Sequence, residues 1–114
     1  PFVTANDVTL TANHLPLGSF GYFITSRLQG FALLPGNTQG NLCLDAPIGR
    51  YIRDVLNSGA AGSFSLAIDL TTMSQPTGFE MAIAGESWNF QSWYRDANPH
   101  ATSNFSLGLE IQFR

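Results

Sequence analysis

Ser63-Phe64-Ser65-Leu66-Ala67-Ile68-Asp69-Leu70 places a large apolar side chain at every second position and a small or polar one between. Successive side chains of an extended strand point to opposite faces, so this octet buries one face and wets the other. Strands of that kind belong to antiparallel sheets. Outward from it the same period recurs. Asp7-Val8-Thr9-Leu10-Thr11-Ala12 is apolar at its even positions. Near the C-terminus, Phe105, Leu107, Leu109, Ile111 and Phe113 alternate with Ser106, Gly108, Glu110 and Gln112. Less regular strand candidates lie at residues 19–26, 30–34, 41–44, 48–52, 81–83 and 87–95.

Turn formers separate these runs: Leu15-Pro16-Leu17-Gly18, Pro35-Gly36-Asn37, Asn57-Ser58-Gly59, Gln75-Pro76-Thr77-Gly78, Ala84-Gly85 and Ala97-Asn98-Pro99. The expectation is an all-β, antiparallel sandwich, jelly-roll or immunoglobulin-like, of about 7–8 strands. Tyr51-Ile52-Arg53-Asp54-Val55-Leu56, followed by Asn-Ser-Gly, admits a helical turn and its cap. One domain is expected over residues 1–114. Pro1 stands where an initiator Met would, so the chain is expected to be processed or cut from a larger protein.

Composition narrows the function classes. Hydrophobic residues make up 44% of the 114 residues, with nine Phe, two Trp and three Tyr, which excludes a disordered composition. Only 11% are charged and the net charge is −3. There is no Lys, and the cations are Arg27, Arg50, Arg53, Arg95 and Arg114. Nucleic-acid binding requires a basic field, so no nucleic acid is expected. No apolar run reaches the ~20 residues of a membrane span, so no membrane insertion is expected. No basic-then-apolar leader opens the sequence.

The densest group of chemistry-bearing side chains is Trp88-Asn89-Phe90-Gln91-Ser92-Trp93-Tyr94-Arg95-Asp96. Strand parity sets Trp88, Phe90 and Tyr94 on one face as core. It sets Asn89, Gln91, Trp93 and Arg95 on the other. An indole with two amides and a guanidinium suits a sugar: the ring packs on the apolar face of a pyranose and its neighbours bond the hydroxyls. The competing reading packs Trp93 under a loop and pairs Arg95 with Asp96 or Asp69. A bulge would exchange the faces.

Asp96-Ala97-Asn98-Pro99 reads first as a turn, and more sharply as a weak calcium candidate through Asp96 and Asn98, although calcium takes six to eight oxygens. Otherwise no metal or cofactor is expected. His14 and His100 lack metal-ligand spacing, and no nucleophile motif is present, so an enzyme is not expected. Cys43 has three readings: a small buried hydrophobe, half of a disulfide whose partner lies elsewhere, or a reactive thiol.

Gly40-Asn41-Leu42-Cys43-Leu44 with Ile48-Gly49-Arg50-Tyr51, Ser58-Gly59-Ala60-Ala61-Gly62-Ser63-Phe64, and the Trp88–Asp96 segment with Thr102-Ser103-Asn104-Phe105 together form a set. The set resembles a domain near the C-terminal ends of large secreted proteins of planctomycetes and related environmental bacteria. The likeness runs from about Asn6 to Phe113. It implies a secreted or cell-surface accessory role. That pattern often carries a further cysteine upstream of Val3, which would be the partner of Cys43. Asp45-Ala46-Pro47 stands where the pattern has small Gly-like residues, so this turn departs from it. The functional expectation is a non-catalytic extracellular module that binds a polysaccharide or cell-surface glycan. The alternative is a structural or assembly module that associates with other proteins or with itself; charges that would guard an exposed strand edge are scarce.

Overall fold

The computed structural model describes residues 1–32, 41–96, 102–106 and 108–114. Pro35-Gly36-Asn37, Ala97-Asn98-Pro99, His100, Leu107 and the end of the 30–34 segment lie outside the described residues. The chain is all-β and antiparallel. In chain order the strands are β1 (Thr9–Ala12), β2 (Phe20–Ser26), β3 (Gln29–Ala32), β4 (Leu42–Leu44), β5 (Gly49–Arg50) and β6 (Leu56–Asn57). They continue as β7 (Phe64–Ala67), β8 (Met73–Gln75), β9 (Gly78–Glu80), β10 (Ser87–Asp96), β11 (Thr102–Phe105) and β12 (Leu109–Gln112). A 3₁₀ turn at Gly59–Ala61 ends on Gly62 in the left-handed region.

One sheet has six strands, in the order β11-β10-β2-β5, with β12 also on β10 and β6 also on β2. β1–β7, β3–β4 and β8–β9 are separate two-stranded pairs. The strands are thus more numerous and shorter than the sequence suggests. Gln75-Pro76-Thr77-Gly78 is the expected turn, but it joins β8 to β9, a hairpin whose strands carry no clear alternation. Residues 81–83 form no strand. The run Tyr51–Leu56, which admits a helical turn, forms no helix: the Asp54 amide bonds the Tyr51 carbonyl at 3.1 Å in a single hydrogen-bonded turn, and Leu56 and Asn57 then pair with Gly21 and Phe20. A helix this short is marginal by itself, and the ladder bonds with β2 outweigh it.

The period-two pattern does set the core. Leu10, Ala12, Phe64, Ile68 and Leu70 are buried together with Phe23, Trp88, Phe90, Tyr94 and Phe113. Phe23 of the large sheet meets Phe64 of the β1–β7 ribbon edge to face, with ring centroids 5.5 Å apart. That contact joins the two sheets through their apolar faces.

The C-terminal repeat is divided between faces. Trp93 pairs with Phe105 and Phe90 pairs with Leu109, so three steps along β10 oppose four along the β11–β12 side. That one-residue difference reverses the sense of the alternation between the two segments. Leu109 and Ile111 share the face of Phe90 and Trp88, while Phe105 shares that of Trp93.

Candidate ligand-binding face

β10 is the central strand, with β2 on one side and β11 and β12 on the other. Its even residues point into the core as parity requires: Trp88, Phe90, Ser92 and Tyr94 are all buried. Asn89, Gln91, Trp93 and Arg95 point away from it. These four share a side of the sheet but differ in exposure.

Asn89 and Gln91 lie in the half beside β4 and are only 4% and 2% exposed. The Gln91 Oε1 accepts the Cys43 amide at 3.0 Å. Its Nε2 donates to the Asn41 and Ser106 carbonyls at 2.8 and 2.7 Å. Both amide protons are therefore committed to backbone. The Asn89 Nδ2 donates to the Ser26 carbonyl at 3.2 Å. Both amides hold chain segments together and do not project into solvent. Cys43, half-buried on β4, is part of this cover.

Trp93 and Arg95 occupy the open half. Trp93 is half-buried and Arg95 exposed. Directly opposed residues of antiparallel strands share a face, so the register aligns Phe105, Trp93 and Tyr22 in one row across β11, β10 and β2. Tyr22 and Trp93 are 5.1 Å apart with planes inclined by 32°. The Arg95 guanidinium carbon lies 5.7 Å from the Trp93 ring centre. Ser103 pairs with Arg95, and Phe20, 58% exposed, continues the Tyr22 side of β2. With strands about 4.8 Å apart, the row spans roughly 10 Å. The Ser19 hydroxyl donates to the Arg95 carbonyl, and the Ser19 amide donates to the Ser58 Oγ at 2.8 Å, which fixes this end of β10.

Tyr22 and Phe105 are the members of the row that sequence reasoning does not find. Phe105 reads as an inward residue because its repeat is unbroken in sequence; only the one-residue offset between the β11 and β12 registers turns it outward. Tyr22 lies in a segment visibly rich in aromatics, but alternation names faces and not neighbours. Of the calcium candidates, Asn98 lies outside the described residues, and Asp96 closes β10 opposite Thr102. His14 is exposed at a backbone φ of 59°. Among the described residues no three His, Cys, Asp or Glu side chains converge as metal ligands, and no helix is long and apolar enough to cross a membrane.

Fold and face together define the class: an antiparallel β domain that presents an aromatic row on a sheet face. Comparison of the chain with protein-family models, with curated proteins and with solved structures finds no match.

Proposed function

We propose that this domain is a non-catalytic module of the cell exterior, one part of a larger secreted protein, that binds a polysaccharide or cell-surface glycan on the Phe105–Trp93–Tyr22 row. The two sheets joined through Phe23 and Phe64 are read here as the layers of a sandwich, with the row on its outer surface. The row is the observation that supports this reading. Aromatic faces bury the C–H face of a sugar ring without demanding a fixed hydroxyl pattern, and the removal of apolar surface from water supplies most of the affinity. Arg95 and Ser103 stand beside the rings as hydrogen-bond partners for hydroxyls. A carbohydrate-array screen of wild type beside Trp93→Ala tests it. The expected result is a set of glycan signals abolished by the substitution. Trp88 is fully buried, so a ligand-dependent change in indole fluorescence reports on Trp93. Array signals that survive Trp93→Ala would move the site elsewhere.

An assembly role is the second reading, and one observation favours it. Phe79, Met81 and Ile83 are 59%, 57% and 58% exposed, three large apolar side chains in solvent within five residues. A silent array would transfer support to this reading.

A further inference from the structure

A second surface, independent of the aromatic row, carries its own chemistry. Beyond β5 the chain forms an open cleft of about 220 Å³ between residues 50–54 and the β8–β9 hairpin. It shares Arg50, Ile52 and Gln75 with a wider groove of about 710 Å³ walled by Pro47, Ile48 and Pro76. The floor is firmly built. Gly49 packs so closely on β8 that a Cβ there would lie 1.8 Å from the Ser74 carbonyl oxygen. The Ser74 hydroxyl donates to the Arg50 carbonyl at 2.9 Å.

The electrostatics of this cleft oppose those of the chain. The molecule carries a net charge of −3, yet two of its five arginines line one cleft. Arg27 is already neutralised, at 3.0 Å from Glu80 and 2.6 Å from Glu86. Arg50 and Arg53 make no ion pair among the described residues. The Arg53 guanidinium sits 5.9 Å from the ring centre of Phe79, a fellow lining residue, which restrains its planar fork. Among the described residues Asp54 is the one carboxylate of the lining. Glu80, bonded to the Gln75 Nε2, faces Arg27. Tyr51, in the floor, has its phenol pushed up to about 12, chiefly by burial, and adds no negative charge at neutral pH. The cleft therefore combines two arginines and one carboxylate with apolar lining residues, Ile52 and Phe79.

We propose that this cleft binds a carboxylate carrying an apolar group, with the carboxylate between Arg50 and Arg53 and the apolar part against Ile52 and Phe79. Arginine is suited to it because its fork matches both carboxylate oxygens. The same chemistry is offered by a free aromatic acid and by the C-terminus of a peptide ending in Phe. The test is a titration of the ¹⁵N-labelled chain, followed by amide shifts, with phenylacetate, its neutral amide, and Ala-Ala-Phe as free acid and as C-terminal amide. Saturable shifts confined to residues 50–54 and 74–79 are expected for both acids. Binding of the neutral amides should be weaker by about tenfold, the loss of a charge-assisted pair. Tighter binding of the peptide acid would identify a chain terminus as the source; tighter phenylacetate binding would identify a small acid. Both orders support the site. Arg50→Gln with Arg53→Gln should abolish the preference for acids. Arg53→Gln alone, outside any strand, keeps the test valid if the double variant loses spectral dispersion. Equal binding of acids and amides, or no saturable shift in this region, overturns the proposal.

Discussion

Gln91 and Trp93 stand two positions apart on the same side of β10 and do opposite work. The indole is the larger side chain, but it is half-exposed, and its removal leaves no polar group stranded. Gln91 is smaller and makes three hydrogen bonds to backbone groups of three different residues, Cys43, Asn41 and Ser106. Truncating it removes a buried amide and takes the acceptor from the Cys43 amide and a donor from the Asn41 and Ser106 carbonyls. Each buried group left without a partner costs about 1–3 kcal/mol. Gln91→Ala is therefore expected to destabilise the fold by about 3 kcal/mol, read as a lowered urea midpoint. Trp93→Ala should cost only about 1 kcal/mol, the loss of its contact with Tyr22 and of partial burial. The reverse order in chemical denaturation would show that the amide network is not what holds β4 and its neighbours on the sheet. For binding the ranking inverts: Trp93→Ala removes the ligand surface.

At the level of elements, close approach decides more than propensity. β5 is only two residues long, and it can seat between β2 and β8 because residue 49 has no side chain. Gly→Ala in a compatible strand position raises stability by up to about 1 kcal/mol, through the unfolded chain. At Gly49 the added methyl would meet the Ser74 carbonyl oxygen at 1.8 Å, and backbone on both sides must shift. Gly49→Ala is expected to lose about 3 kcal/mol and to raise hydrogen exchange at Tyr51, whose amide bonds Phe23 of β2 at 2.9 Å. An unchanged or higher melting temperature would refute the tight seat. The same scale explains what was legible in the sequence. Burial of Leu10, Ala12, Phe64, Ile68 and Leu70, and the inward set Trp88, Phe90 and Tyr94, follow from period two, because each strand obeys a strictly local rule. The β8–β9 hairpin was not legible, since Met73-Ser74-Gln75 alternates too briefly to register. The outward turn of Phe105 was not legible either. It depends on one extra residue between two segments that pair with the same strand, a relation between strands in space. For the same reason Trp93 was found as a face residue but its partners Tyr22 and Phe105 were not, and the burial of Asn89 and Gln91 beside β4 could not be read from parity.

Across the whole molecule the N-terminal segment acts as a strap between two distant parts of the chain. At its start the Val3 amide bonds the Arg114 carbonyl at 2.8 Å, and the Arg114 amide returns a bond to the Pro1 carbonyl at 2.9 Å. At its other end Asn6, held at a φ of 47°, bonds in both directions. Its Oδ1 accepts the Leu70 amide at 2.7 Å, and its Nδ2 donates to Asp69 at 3.1 Å. The same Asp69 oxygen accepts the Thr71 hydroxyl and amide at 2.7 and 2.9 Å. These donors favour the ionised form and hold the Asp69 carboxyl below its ordinary value of 3.8, the Thr71 bonds contributing most. A carboxyl whose folded value is depressed adds stability that is complete above the unfolded value and disappears as pH falls through the folded one. The strap should therefore loosen on strong acidification and be indifferent to pH near neutrality. Asp69→Asn keeps the shape and removes the titration. Urea midpoints followed from neutral to strongly acidic pH should fall more steeply for wild type than for the variant, with the difference confined to the acid limb. Hydrogen exchange should show the amides of Val3 and Leu70 released together in acid, because one segment ties both. Parallel acid limbs, or release of Leu70 with Val3 still protected, would mean that Asp69 anchors only its own turn and that the two ends of the strap open independently.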